Sequence, residues 1–429
     1  MGDWDIYSVL LANNMKIGVA TSALQIEGGK TDGMGKSIWD DILDDNACDH
    51  YKHWKTDIDL IKELGFTTYR FSICWPRIMP DGRNINGMGV HFYRNILEYL
   101  HFLNIEPLVT LYHWDLPLVL QSEFGGWLSD KIIPVFTNFA NKCFELYGDL
   151  VKYWCTFNEP YVISHYGYGI GTAAPNHKSI DGQWTVAHNI LLSHDAVYTL
   201  YKEKYYRMQH GNIGIVLNFS WCVPDDPSSN EDINAANTCI MQKFDWFAQP
   251  FIDGTYPECL SKYIDHLGLT FTHTLSTDFI GLNYYKTKKI QAFGGGFIET
   301  PYGPETIKSS MRWPVVPQGI YHVVKYVHNL FPNTDIFITG NGFADDGALI
   351  DIERINYIES HLFEIMKLVI EGIPLRRFYI WSLMDNIEWN LGFAHHFGII
   401  YVDHNTPNKK RIKKTSAIYL QSKLQYSLL

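Results

Sequence analysis

Short runs of apolar and β-branched residues recur along the chain, separated by longer stretches in which apolar positions return every three or four residues. The short runs are IGVATS from Ile17, TTYRFS from Thr67, EPLVTLYH from Glu106 and YWCTFNE from Tyr153, then IGIVLNFS from Ile213, DFIGLNYY from Asp278, IFIT from Ile336 and FYIWS from Phe378. Several are apolar on both alternating faces, the pattern of parallel strands covered on both sides. Between them, residues 53–65, 89–104, 135–148 and 355–372 carry apolar side chains at helical spacing, and Gly65 stands where a helix C-terminus wants glycine. Eight strands alternating with helices, with no Pro/Ser-rich linker, predict a single (β/α)8 TIM barrel spanning residues 1–429 as one domain. A doubly wound sheet is the rival, but no G-x-G-x-x-G follows the first strand.

Composition narrows the partners. With 46% hydrophobic and only 19% charged residues, the chain is a packed globular protein. A net charge of −11 argues against a nucleic-acid surface, and the basic run NKKRIKKTS (408–416) is expected to be a solvated loop. Seven cysteines, an odd count without a C-x-x-C pair, fit reduced thiols in a cytoplasmic protein rather than disulfides or zinc. The first residues carry two Asp and no basic segment, unlike a signal peptide, and Ile6 stands where a myristoylation motif needs Ser or Thr. The sequon at Asn218 falls in a predicted buried strand and is expected to be unused. No apolar run is long enough to span a membrane. Aromatics at 15% suit sugar stacking, but most aromatic side chains in any protein are core.

In a barrel of this kind, the C-terminal ends of the strands face the active site. Those ends carry Gln25 and Glu27, Arg70, His113-Trp114-Asp115, Asn158-Glu159, Asn283-Tyr284-Tyr285, and Trp381 followed by Glu388-Trp389. Each alone is more often structural. Together, amide, imidazole, guanidinium, carboxylate and indole groups on one rim match a sugar, which needs paired donors and acceptors and an aromatic face. The adjacent His395 and His396 point to different sides of the chain, so no metal site is expected, and no cofactor is called for.

These segments resemble glycoside hydrolase family 1, the β-glucosidases. The resemblance is carried by YRFSICWPRIMPDG (69–82), VTLYHWDLP (109–117), TFNEP (156–160), FIGLNYY, WSLMDNIEWNLGF and FGIIYVD, in collinear order from GVATSALQIEGG to RIKKTSAIYL. It implies a retaining β-glycosidase acting on a small-molecule β-glucoside, with two carboxyl groups roughly 5 to 5.5 Å apart. By the resemblance, Glu159 is the acid/base, and Asn158 holds the sugar 2-hydroxyl. Gln25, His113, Glu388 and Trp389 bind the other hydroxyls, Trp381 is the platform, and Trp114 and Asn283 also join the substrate site. Arg70 and Tyr285 would support the nucleophile.

One position departs. Family members read I-T-E-N-G at the seventh strand; this chain reads Ile338-Thr339-Gly340-Asn341-Gly342. Gly340 therefore stands where the attacking carboxylate belongs, and a glycosyl-enzyme could not form. The expected behaviour is abolished or strongly reduced hydrolysis, with synthesis of β-glycosides from α-glycosyl fluorides (a glycosynthase). Retention of every other recognised position points to an engineered single-site replacement, because drift would spoil several. A natural carbohydrate-binding pseudoenzyme and a transglycosidase using an external nucleophile are the alternatives. Further departures are a short segment at 39–50 and a trimmed stretch at 255–282, which imply a more open cleft, and His396 where Arg is common, a difference expected to act on packing. Glu388 resembles the branch acting on non-phosphorylated sugars, which favours glucose, galactose or fucose over 6-phosphates.

Overall fold

The computed structural model describes residues 5–30, 32–43 and 47–426. The first four residues, and part of the short 39–50 segment, lie outside this set. Eight strands close into a parallel barrel. They are β1 Lys16–Ala20, β2 Thr68–Ser72, β3 Glu106–Tyr112, β4 Tyr153–Asn158, β5 Asn212–Asn218, β6 Phe279–Asn283, β7 Asp335–Asn341 and β8 Leu375–Trp381. Each pairs with its neighbours in chain order, and β1 closes the ring between β8 and β2, with Ala20 opposite both Trp381 and Arg70. All eight apolar runs read from the sequence are barrel strands.

The two-sided apolar character of the strands has a direct cause. One face of each strand packs on the surrounding helices, as with Val109, Trp154, Ile215, Ile280, Ile338 and Ile380. The alternate positions Leu108, Cys155, Val216, Phe279, Phe337 and Tyr379 form a separate cluster that fills the interior. Near the N-terminal end, the Arg377 guanidinium stacks 3.8 Å from the Tyr153 ring centroid and pairs with Glu106 at 2.6 Å. Barrel strands thus bury apolar groups at one end and present polar ones at the other.

The four predicted helices are α1 His50–Glu63, α2 Gly87–Phe102, α3 Ile132–Tyr147 and α6 Ile352–Ile370. Gly65 takes φ +87° directly beyond the C-cap of α1, a left-handed conformation that glycine adopts without steric penalty. Among the helices that escaped the periodicity reading are α4 Ile180–Lys204 and α5 Asn230–Ile240. In α4, Trp184, His188, Asn189, His194 and Tyr201 are buried together with its aliphatic residues, so apolar and polar positions do not sort onto two faces. Its start is nevertheless marked in the sequence: the Ser179 hydroxyl accepts from the Gly182 amide at 2.9 Å. An accessory sheet of Trp221–Pro224, Thr287–Phe293 and Gly296–Thr300 lies beyond β5 and β6.

The basic run at 408–416 is not a solvated loop. Lys410–Lys413 is a strand paired with Ile400–Asp403, and Lys414 is fully buried. The Lys414 ammonium lies 2.9 Å from Asp385 Oδ1, while Arg411 pairs with the buried Asp57 at 2.7 Å. These two cations meet buried carboxylates that sequence spacing does not reveal, since Asp57 is 354 positions from Arg411. All seven cysteines are free thiols, and no helix among the described residues is long and apolar enough to cross a membrane.

Candidate active site

The strand tips converge on a cavity of about 290 Å³ at the C-terminal end of the barrel. Gln25, Arg70, His113, Trp114, Asn158, Glu159, Asn283, Tyr285, Trp381, Glu388 and Trp389 all line it. Gly340, near the tip of β7, is not among the lining residues and lies next to two of them, Asn283 and Tyr285.

Both strands that would carry the chemistry are irregular at their ends. The β4–β5 register shifts between Cys155 and Asn158, and β7 shifts against both neighbours beyond Ile338. Such bulges re-aim side chains at the end of a ladder. The Glu159 amide still donates to the Val216 carbonyl at 2.8 Å, yet its φ is +54°. Trp114 and Trp389 also have positive φ, +72° and +47°. Side chains held in this sparsely populated region cost about 1–3 kcal/mol each and concentrate where function demands a fixed direction.

A buried hydrogen-bond network joins the two tips. Asn283 Nδ2 donates to Glu159 Oε1 at 2.7 Å and to Asn158 Oδ1 at 3.1 Å, while Asn283 Oδ1 accepts from Thr339 at 2.8 Å. A Cβ on Gly340 would stand 2.8 Å from that same Oδ1 and 2.7 Å from the Tyr285 hydroxyl. One amide therefore spans the gap between Glu159 and the direction in which a residue-340 side chain would project. Arg70, 1% exposed, donates to the Thr339 carbonyl and to Asn158 Oδ1, each at 2.6 Å. Its Nε has no partner, and no carboxylate pairs with it among the described residues. A fully buried guanidinium in this state is a cation whose surroundings lack the anion that burial usually requires.

Other polar atoms are also poised. Glu388 Oε2 and His113 Nδ1 are buried without protein partners, whereas Gln25 is satisfied by Asn386, the Ile387 carbonyl and Ser22. Trp114 spans the wall by donating to the Asn158 carbonyl at 2.9 Å, and its ring lies 4.4 Å from that of Trp389. Burial drives the titration of the site. It raises Glu159 above the ordinary carboxyl range, partly offset by Asn283 and Arg70. It pushes Glu388 up to about 8, with the nearby Glu159 charge adding to the effect. His113 falls well below its usual value through burial and the Arg70 charge, so its ring is neutral. Among the described residues, no group of His, Cys, Asp and Glu is arranged to hold a metal.

The family model for glycosyl hydrolase family 1 matches residues 10–426. The chain belongs to that family. It is 37% identical to beta-glucosidase A of Thermotoga maritima, across 94% of this chain and 95% of that one. It is 35% identical to beta-glucosidase 24 of Oryza sativa subsp. japonica, across 94% and 92%. Among solved structures, the Thermotoga maritima beta-glucosidase in complex with deoxynojirimycin superposes with a TM-score of 0.90 at 34% identity, covering 96% of this chain and 98% of the other. An aphid myrosinase gives 0.88 at 31% identity, with the same coverage.

The family 1 barrel here also brings in residues that the strand-end reading missed. Asn218, Phe219 and Ser220, at the unread tip of β5, line the cavity, and the Asn218 sequon is thus half-buried at a strand end. Tyr166, Cys239, Lys243, Phe244, Lys288 and Trp313 come from excursions outside the strands, where sequence gives no signal of direction. Lys286 did have one: it follows Tyr285 directly, so extending FIGLNYY by one residue would have found it. His396 Nδ1 lies 3.1 Å from the buried Asp385.

Proposed function

We propose that this chain is a family 1 β-glycosidase site for a terminal non-reducing β-D-glucosyl residue in which the attacking carboxylate is absent. It would span one (β/α)8 unit and, with its free thiols, work in the cytoplasm. The observation that carries the reading is the arrangement at the β7 tip: the Tyr285 hydroxyl and Asn283 converge where Gly340 offers no side chain, and the buried Arg70, with no carboxylate partner among the described residues, donates to the adjacent Thr339 carbonyl. Glu159, held on the opposite side by Asn283, has its carboxyl raised by burial and would donate a proton to the glycosidic oxygen. The buried Oε2 of Glu388 and Nδ1 of His113 would meet sugar hydroxyls, and Trp381, only 7% exposed, would face the ring.

With no group to attack the anomeric carbon, double displacement halts at its first step. A donor bearing an α-leaving group would bypass that step. The leaving group would depart on the Gly340 side once Tyr285 and Asn283 draw back, and Glu159, as general base, would deprotonate an acceptor hydroxyl to give a β-glycoside. The test is hydrolysis of an aryl β-glucoside by the parent and by Gly340→Glu. The variant is expected to exceed the parent by about 10⁴-fold, equivalent to about 5.5 kcal/mol of transition-state stabilisation. The new Cβ must displace two side-chain tips by a few tenths of an ångström, so melting temperature is followed alongside. A folded but inert Gly340→Glu protein would instead support a carbohydrate-binding role. Condensation of α-glucosyl fluoride with an aryl acceptor by the parent tests the synthetic reaction.

A further inference from the structure

The two ends of the cavity differ in chemistry. At the sugar end, Gln25, His113, Asn158 and Trp381 are at most 7% exposed. At the mouth, where Tyr166 reaches 37% exposure, the lining changes to lysine and aromatic groups. Lys286 follows β6, Lys288 lies on the accessory strand Thr287–Phe293, and Lys243 stands just beyond α5. Trp313 and Phe244 supply flat apolar surface between them.

The charges at the mouth do not balance. Lys288 Nζ pairs with Glu299 Oε2 at 2.9 Å, but neither Lys243 nor Lys286 has a carboxylate partner among the described residues. Three ammonium groups therefore face one carboxylate, leaving two in excess. Cys239 is the other ionisable group here. Its Sγ lies 3.1 Å from that of Cys222, and hydrogen bonding from Cys222, opposed by burial and assisted by Lys243 and Lys288, brings it down to about 7. Even as thiolate it would neutralise only one of the two. The Lys286 ammonium packs 5.2 Å from the Trp313 ring centroid, and burial, with repulsion from Lys288, lowers it to about 8. In a chain of net charge −11, this concentration of cations inside a cavity is a local feature with a local purpose.

We propose that the mouth of the cavity binds an aromatic carboxylate carried by the aglycone, with Lys243 and Lys286 gripping the anion and Trp313 supporting the ring. The inference rests on the glycoside reading above and names the class of leaving group or acceptor that this site prefers. An ammonium pair already held against apolar walls has shed part of its hydration, so a carboxylate gains charge-assisted contacts while an uncharged aglycone does not. The Lys286 ammonium, lowered first by burial and then by Lys288, also holds its proton more firmly when an anion docks.

The experiment is calorimetric titration of the full chain with 4-carboxyphenyl β-D-glucopyranoside and with its methyl ester, which has the same rings and no charge. The carboxylate is expected to bind about tenfold more tightly or better. That ratio should shrink as salt is raised. It should fall towards one in Lys243→Gln and Lys286→Gln, while Lys286→Arg, which keeps the charge, should preserve most of it. Equal affinities in the parent, or a ratio that survives both glutamine substitutions in proteins of unchanged melting temperature, would overturn the proposal. Binding of the ester without preference overturns this inference alone. Failure of both ligands to bind overturns the glycoside reading as well.

Discussion

Glu388 shows how much a single buried group can report. Its carboxyl is pushed from an ordinary 4.5 to about 8 by burial and by the charge on Glu159. The folded state therefore holds this proton more tightly than the unfolded chain, and stability is lost as pH rises from about 4.5 through about 8. Glu388→Gln removes that loss. Its melting temperature should exceed that of the parent by several degrees above pH 8 and converge with it in acid; parallel curves would contradict the assignment. Other residues were legible in the sequence by type and position. Asn158-Glu159 and Trp381 could be placed at strand tips because the continuous apolar runs end there. That Arg70 would lack a carboxylate followed from Gly340, but the partners it takes instead could not be read, since they are brought from β4 and β7.

Among the elements, the C-terminal basic run supports the site from behind. Lys414 follows the strand Lys410–Lys413, and its ammonium grips Asp385, which is 2% exposed and opens the segment leading to Glu388 and Trp389. Burial alone would raise Asp385, but His396 and Lys414 outweigh it and hold the carboxyl below its usual range. Replacing Lys414 with Met would leave a buried carboxylate short of its counter-ion, at a cost of about 3–5 kcal/mol in urea unfolding. A loss below about 1 kcal/mol, the scale of exposed pairs, would show that the clamp does not matter. A local reading misplaced this run because charge density at nine consecutive positions looks the same whether the charges face water or distant aspartates. The barrel strands carried their own evidence in apolar runs, and α4, buried around most of its girth, did not.

At the scale of the whole molecule, a parallel barrel separates stability from chemistry: apolar layers and the Arg377–Glu106 pair fill one end, and the polar tips are left free at the other. That separation explains why the architecture and the rim were legible along the chain, while the lysine-rich mouth was not. The rim sits at predictable ends of strands, whereas Lys243 and Trp313 arrive on excursions whose paths are set by tertiary packing. It also allows one rim position to change without loss of the fold, which is the condition the account places on Gly340. The most direct measurement is intact-protein mass spectrometry after incubation with an activated 2-deoxy-2-fluoro-β-glucoside, which traps a glycosyl-enzyme where a nucleophile exists. Gly340→Glu should gain the mass of one fluoroglucosyl group, mapped by peptide fragmentation to residue 340, and the parent should gain none. An adduct on the parent, or one on the variant that maps elsewhere, would contradict the account.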